Sequence, residues 1–261
     1  MSSPLKRALK YFAIVVGLLL IAGAALILPA FVGRRGLADG VEVQGLRIVK
    51  DGIVSIGVIP LARSQVALID AGNDKTGKAI LAELSRRQLS PDAVTAIFLT
   101  HGHPDHTASI ALFPQAQVMA LEREVPLIEG HAGASGPLTR LFPVRPTGIT
   151  VARALHDGDT VTLGSLEVHV YAVPGHTAGS AAYLVKGVLF LGDAADIASD
   201  GTLEGSPWIF SDNQSEDRAS LVTLDRRLMK EGADVRALEF AHSGVLPDGI
   251  SPLHTYAQKA H

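Results

Sequence analysis

The sequence predicts an α+β fold in which two mixed β-sheets pack face to face with helices on their outer sides, preceded by one long apolar helix. Three observations carry this. Short apolar strand windows broken by turn dipeptides occur in both halves of the chain, each half also holds one amphipathic window of helical period, and residues 11–33 run without a charge. A sheet or amphipathic helix must bury its apolar face against another layer, so strands beside helices in two halves read as two sheets flanked by helices. With 261 residues, 47% of them hydrophobic, the chain is large enough to bury such a core.

Tyr11 to Gly33 is uncharged for about 23 residues, a helix of roughly 34 Å against a hydrocarbon core of about 30 Å. We therefore expect a single-pass anchor that contacts the lipid bilayer through residues 11–33. Lys6, Arg7 and Lys10 precede the run and Arg34 and Arg35 follow it, which by the positive-inside rule places the N-terminus in the cytoplasm and the rest outside it. The rival reading is a cleaved signal peptide, with small residues at Ala22-Gly23-Ala24 and Leu28-Pro29-Ala30, although the apolar run exceeds the usual length of one. The expected partition is residues 1–35 as stub and anchor, 36–45 as a glycine-rich linker, and 46–261 as the folded domain.

Within that domain, Leu46–Lys50 and Ile53–Val58 flank Asp51-Gly52, a strong hairpin signal, and Gln65–Asp70 reads as a further buried strand. Ile80, Leu81 and Leu84 recur at helical spacing inside Lys75–Gln88. Ser90-Pro91 stops that helix, and the strand Thr95–Leu99 follows. The second half repeats the theme with hairpins 161–163/166–173 and 181–185/188–191. Ser215 is expected to cap a helix carrying Glu216 and Asp217 in its first turn, Leu221, Leu224 and Leu228 on its apolar face, and Lys230 and Gly232 at its end. The strand Val235–Phe240 closes the series. Residues 126–148, rich in glycine and proline, form a long irregular stretch that reads either as a lid over a site or as a surface excursion. Trp208, Ile209 and Phe210 read as core packing, or else as an apolar wall of a pocket.

The formal net charge of −3 gives no basic surface of the kind nucleic-acid binders show. Cysteine is absent, which excludes disulfides and thiol nucleophiles and leaves histidine and carboxylate as metal ligands. Four such side chains fall within six positions, His101, His103, Asp105 and His106, directly after an apolar strand. Imidazole nitrogen and carboxylate oxygen are ligand types zinc accepts, and a strand ending in a tight turn holds them in place before metal arrives. His176 lies in the turn Pro174-Gly175-His176, Asp193 ends the apolar run 189–192, and His242 ends 238–241. A carboxylate leaving a buried strand is costly unless paired, which a position between two cations would supply.

As an ordered set, His101-x-His103-x-Asp105-His106, Pro174-Gly175-His176-Thr177-x-Gly179-Ser180, Gly192-Asp193 and Ala241-His242 resemble the motifs of the metallo-β-lactamase-fold hydrolases. The resemblance covers nearly everything after residue 43 and implies a four-layer αββα sandwich with the metal site at one edge of the sheets. It implies two divalent metal ions, zinc first, with iron or manganese also suited to these donors. His101, His103 and His176 would hold the first ion, Asp105, His106 and His242 the second, and Asp193 would bridge them. Asp105 is also the expected catalytic residue, orienting a water or shuttling its proton. Asp70 resembles the aspartate that supports the ligand loop from behind; the competing reading is a carboxylate capping the turn at Gly72.

Paired ions lower the pKa of a shared water toward neutrality, so no serine or cysteine nucleophile is required. The implied activity is hydrolysis of an ester, thioester, lactone or related small molecule. Lack of a cysteine ligand disfavours antibiotic hydrolysis. Two alternatives stay open: an iron-dependent oxidoreductase on the same scaffold, and a non-catalytic, membrane-tethered binding protein. No protein partner is identified. The remaining histidines are set apart: His169 lies opposite in parity to Val168 and Val170 in its strand, His156, His254 and His261 are expected to be solvated, and His131 falls in the irregular stretch.

Overall fold

The computed structural model describes residues 4–28 and 32–260, so His261 and residues 29–31 of the expected anchor lie outside the described residues. The chain divides into two compact units, Met1–Arg34 and Arg35–His261. Among the described residues, the first holds helix α1, Pro4–Ile27. Its stretch Lys6–Ala25 has a mean hydropathy of 2.1 and none of it is buried, so by length and composition it is able to cross a membrane. The helix includes residues ahead of the uncharged run because Lys6, Arg7 and Lys10 are good helix formers and no breaker lies between Leu5 and Tyr11.

The second unit is α+β with two mixed sheets. One sheet runs in the order β1 (Val41–Val43), β2 (Leu46–Asp51), β3 (Val54–Pro60), β4 (Val66–Ile69), β5 (Val94–Phe98), β6 (Gln117–Leu121), β7 (Arg153–Leu155). β1 to β4 pair antiparallel through tight turns, whereas β4 to β7 pair parallel. Parallel neighbours need a crossover, and between β4 and β5 it contains helix α2 (Lys78–Arg86). In the other sheet the first four strands in sequence are β8 (Thr160–Leu163), β9 (Leu166–Ala172), β10 (Ala181–Val185) and β11 (Val188–Phe190). β14 (Ala237–Phe240) and β15 (Gly244–Leu246) complete it, in the spatial order β15-β14-β11-β10-β9-β8. Its one parallel pair, β11 with β14, is bridged by helix α5 (Gln214–Glu231) and by the small two-stranded sheet β12 (Ala195–Ile197) and β13 (Leu203–Gly205).

Strand periodicity sorts the apolar residues. Ala96 and Phe98 of β5 share a core with Val170, Tyr183 and Phe190 of the other sheet, while Ile97 between them packs with Ile80 and Leu84 of α2. Leu189, Leu238 and Phe240 pack with Leu221, Leu224 and Leu228 of α5 and with Leu253 of α6 (Ser251–Lys259).

Several boundaries differ from the sequence reading. Strand β1 lies inside the stretch expected to be linker, because Val41 and Val43 find partners in Ile48 and Leu46. Asn213, not Ser215, caps α5: its side chain accepts from the N–H groups of Ser215 and Glu216. α2 is shorter than Lys75–Gln88, starting after Gly77, whose φ of 60° is left-handed. Residues 126–148 are partly regular, with the end of α4 (Val125–Ile128) and a 3₁₀ turn at Thr139–Leu141.

Candidate metal centre

The sequence-predicted site residues all follow the C-terminal ends of strands. β5 delivers His101 and His103. Pro104, which lacks the N–H that a first helical position would leave unbonded, opens the single turn α3 (Pro104–Thr107) carrying Asp105 and His106. His176 follows β9, Asp193 follows β11, and His242 follows β14. The turn before His176 needs glycine: Gly175 has φ 136°, and a Cβ there would fall 2.1 Å from the backbone nitrogen of Asp217.

The seven side chains converge in two groups, His101, His103, His176 and Asp193, and Asp105, His106 and His242, each with its ligand atoms within 4.8 Å of one another. Nε2 of His176 lies 3.2 Å from Nε2 of His101 and 3.0 Å from Nδ1 of His103. Asp193 stands between the groups, with Oδ2 3.6 Å from His176 Nε2 and 3.1 Å from His242 Nε2, and Oδ1 3.4 Å from His106 Nε2. Asp105 Oδ2 reaches His106 Nε2 at 3.8 Å and His242 Nε2 at 3.7 Å.

Hydrogen-bond accounting decides which nitrogen faces the centre for four of the five rings. His106 Nδ1 donates to Asp70 Oδ2 at 2.8 Å and His242 Nδ1 to the Ile53 carbonyl at 2.8 Å, so on the neutral rings Nε2 keeps a lone pair. The Thr100 hydroxyl gives its proton to Asp70 and therefore accepts from His101 Nδ1 at 3.1 Å. The Ser211 hydroxyl gives its proton to the Pro207 carbonyl and therefore accepts from His176 Nδ1 at 3.1 Å. Four Nε2 atoms thus face inward, and each is a lone-pair donor once its ring is neutral. Two of them, on His101 and His176, face each other with no proton to share, an arrangement that a cation between them relieves. Buried His106 Nε2 and Asp193 Oδ1 also make no hydrogen bond. The residues present fit a divalent metal.

Electrostatics divides the site the same way. Burial, reinforced by neighbouring imidazoles, holds His101 well below the ordinary histidine range, and burial does the same to His176. At His242 burial is outweighed by Asp193, which lifts the imidazole to about 9; at His106 it is outweighed by Asp193, Asp70 and Asp105. One side offers neutral donors, and the other calls for positive charge.

Three supporting residues lie behind the site. Asp70 accepts from the Thr100 N–H and hydroxyl, both at 2.8 Å, as well as from His106, so its carboxylate braces the ligand loop rather than capping the turn at Gly72. Ser211 and Glu124 escaped the sequence reading. Glu124, 1% exposed, accepts from the Gly102 N–H with one oxygen and the Gly179 N–H with the other, each at 2.8 Å, tying the His101–His103 loop to the His176 loop. Burial pushes its carboxyl up to about 7 against those same bonds. A glutamate between two apolar segments carries no sequence mark of this role.

The other described histidines stay outside the cluster. His131 and His156 are exposed, and His169 is half-exposed between buried Val168 and Val170. His254 is not simply solvated: its Nδ1 lies 3.0 Å from buried Asp225 across the α5/α6 contact. Ile209 is buried and Trp208 is 40% exposed.

Comparison with known proteins agrees with this geometry. The profile of the metallo-beta-lactamase superfamily matches residues 49–237. The chain belongs to the metallo-beta-lactamase superfamily. Among its relatives, a hydroxyacylglutathione hydrolase of Shewanella sp. (strain ANA-3) is 33% identical over 153 residues, 56% of this chain and 49% of that protein. Another, from Nitrosomonas eutropha, is 33% identical over 169 residues, 64% of this chain and 55% of the relative. The chain spans about half the length of these curated relatives. Among solved structures, the metallo-β-lactamase MIM-1 from Novosphingobium pentaromativorans superposes with a TM-score of 0.64 at 22% identity, covering 87% of this chain and 88% of that one. The subclass B3 enzyme MEM-A1 gives 0.63 at 19% identity, covering 87% and 94%. At such identities these two likenesses speak for the superfamily fold alone.

Proposed function

We propose that this chain is a membrane-anchored, dinuclear metal-dependent hydrolase of small acyl compounds, with thioesters first among esters and lactones. The observation that carries the reading is the inward-facing donor set, four Nε2 atoms aimed by hydrogen bonds on their Nδ1 partners around Asp193. In this reading His101, His103 and His176 hold one ion, Asp105, His106 and His242 a second, and Asp193 bridges. When bound, such ions supply Lewis acidity and an acidified water. The chain's own residues orient the rest: Asp105, partly exposed beside His106 and His242, is placed to hold or pass a proton at its Oδ2, and Asp70, Thr100 and Ser211 hold the imidazole rings in register. Thioesters come first because relatives matched at 33% identity are hydroxyacylglutathione hydrolases. The reading includes a four-layer αββα sandwich that takes in β1 and so begins ahead of residue 46, an anchor within residues 1–35, and the folded unit outside the cytoplasm.

The test is metal analysis of the purified full chain, paired with turnover of thioesters, esters, lactones and β-lactams. Two zinc ions per chain with thioester or ester cleavage, both lost in Asp193→Ala, are expected. Iron with redox turnover and no acyl cleavage would overturn the reading, as would full metal occupancy without any turnover.

A further inference from the structure

Most of the exposed large apolar side chains of the folded unit fall in two neighbouring segments; Ile53 and Met229 stand apart from them among the described residues. In the segment Arg140-Leu141-Phe142-Pro143-Val144-Arg145, Leu141 is 70% exposed, Phe142 51% and Val144 56%, and both flanking arginines are exposed as well. Trp208, 40% exposed, belongs to the same surface: the Leu138 N–H donates to the Ile209 carbonyl at 2.9 Å, and Leu141 is one turn further on, its N–H on the Leu138 carbonyl. The projection is held rather than loose. Asp212 accepts from the N–H groups of Ser135 and Gly136, Phe142 N–H closes a turn on Thr139, and Thr139 itself is buried.

We propose that Leu141, Phe142, Val144 and Trp208 form a membrane-docking surface that dips into the headgroup region of an anionic bilayer. Apolar side chains rimmed by basic ones suit that interface: the rings and aliphatic groups leave water while the guanidiniums stay with lipid phosphates. Trp208 is the residue type enriched at that depth. Pro143 adds no N–H that would need a partner there. The proposal rests on the reading of α1 as a spanning helix. Residues 28–34 separate α1 from Arg35, whose N–H already bonds the Ile197 carbonyl, and so short a tether reaches about 25 Å at most. A second copy of the chain is a poorer occupant, because a two-fold contact sets the same patch against itself and brings arginine to arginine. The surface lies on the support of the catalytic loop, since Asp212 N–H donates to the His176 carbonyl and Ser211 accepts from the His176 ring.

The chain supplies its own probe, because Trp208 is its one tryptophan. The full chain is reconstituted in phosphatidylcholine and phosphatidylglycerol vesicles whose acyl chains carry bromine near the headgroup. Trp208 emission is expected to be quenched there and shielded from aqueous acrylamide, and the double change Leu141→Ser, Phe142→Ser is expected to lose both effects. Because the chain has no cysteine, Phe142→Cys takes a single polarity-sensitive dye, expected to shift to the blue in these vesicles and to revert with Arg140→Glu and Arg145→Glu together. Protein that stays with the vesicles through a carbonate wash, yet shows no quenching and no dye shift, overturns the docking surface and leaves the anchor standing. Release by carbonate overturns the anchor reading, and this proposal with it. Dye-to-dye contact between chains in place of bilayer burial assigns the patch to self-association and equally overturns it.

Discussion

Nδ1 of His106 donates to Oδ2 of Asp70 at 2.8 Å, and both side chains are buried. One carboxylate thereby serves three donors, the His106 ring, the Thr100 N–H and the Thr100 hydroxyl. Asp70→Asn keeps the shape but leaves one carbonyl oxygen for the three, with an amide NH₂ turned toward a donor. We expect zinc affinity to fall about 10- to 100-fold in a protein that remains folded, as loss of such supporting partners generally does. Competition with a chromophoric chelator measures it; unchanged affinity with reduced thermal stability would make Asp70 a folding residue only.

Ser211 holds His176 by accepting from its Nδ1 while its own proton goes to the Pro207 carbonyl. Ser211→Ala frees the ring to change tautomer and to turn. The expected result is again about a 10-fold or greater loss of metal affinity, restored in part by Ser211→Thr, which keeps the hydroxyl. Nitrogen chemical shifts of the His176 ring would report the tautomer directly, and an unaltered spectrum would remove the hydroxyl from this role.

The convergence of the candidate ligands was legible in the sequence because each follows a buried apolar strand. Residues 97–99 before His101, 189–192 before Asp193 and 238–241 before His242 mark where strands end, and parallel strands β4, β5, β11 and β14 end at one edge. What holds these side chains in place was not legible. Ser211 and Glu124 act from loops whose position depends on long-range packing, and a hydroxyl or carboxylate in a loop has no periodic signature. The short strands β1, β7, β12, β13 and β15 were missed for a related reason: three residues are too few to show alternation, and only a partner strand defines them. The longer β6 and α6 were missed as well.

Glu124 bridges the N–H groups of Gly102 and Gly179, one from each of the two main ligand loops. Glu124→Gln replaces one acceptor with a donor, so one of those buried N–H groups faces an NH₂. Leaving a buried donor unsatisfied costs about 1–3 kcal/mol. We expect destabilisation of that size in urea titration, together with weaker metal binding, because the loops lose their common tether. A stable variant with full metal affinity would show that loop packing alone sets the distance between them.

Glu239 joins the two sheets from the inside: it lies on β14, wholly buried, and its carboxyl hydrogen-bonds the Ser55 hydroxyl of β3. Burial pushes the group up to about 8, against the Ser55 bond and with help from the charge of Asp70. The folded state therefore keeps a proton that the unfolded chain, at the ordinary value of 4.5, gives up. Between these two values the native state binds more protons than the unfolded one, so this group's contribution falls as pH rises and levels off above about 8. Glu239→Gln carries no titrating proton and keeps a carbonyl oxygen to accept the same bond. Its stability relative to the parent protein should climb from pH 5 to pH 8 by an amount on the order of a few kcal/mol and then hold constant. Urea unfolding of both proteins followed by Trp208 fluorescence measures the difference, and parallel stability curves across that window would mean that the carboxyl ionises within the fold without penalty.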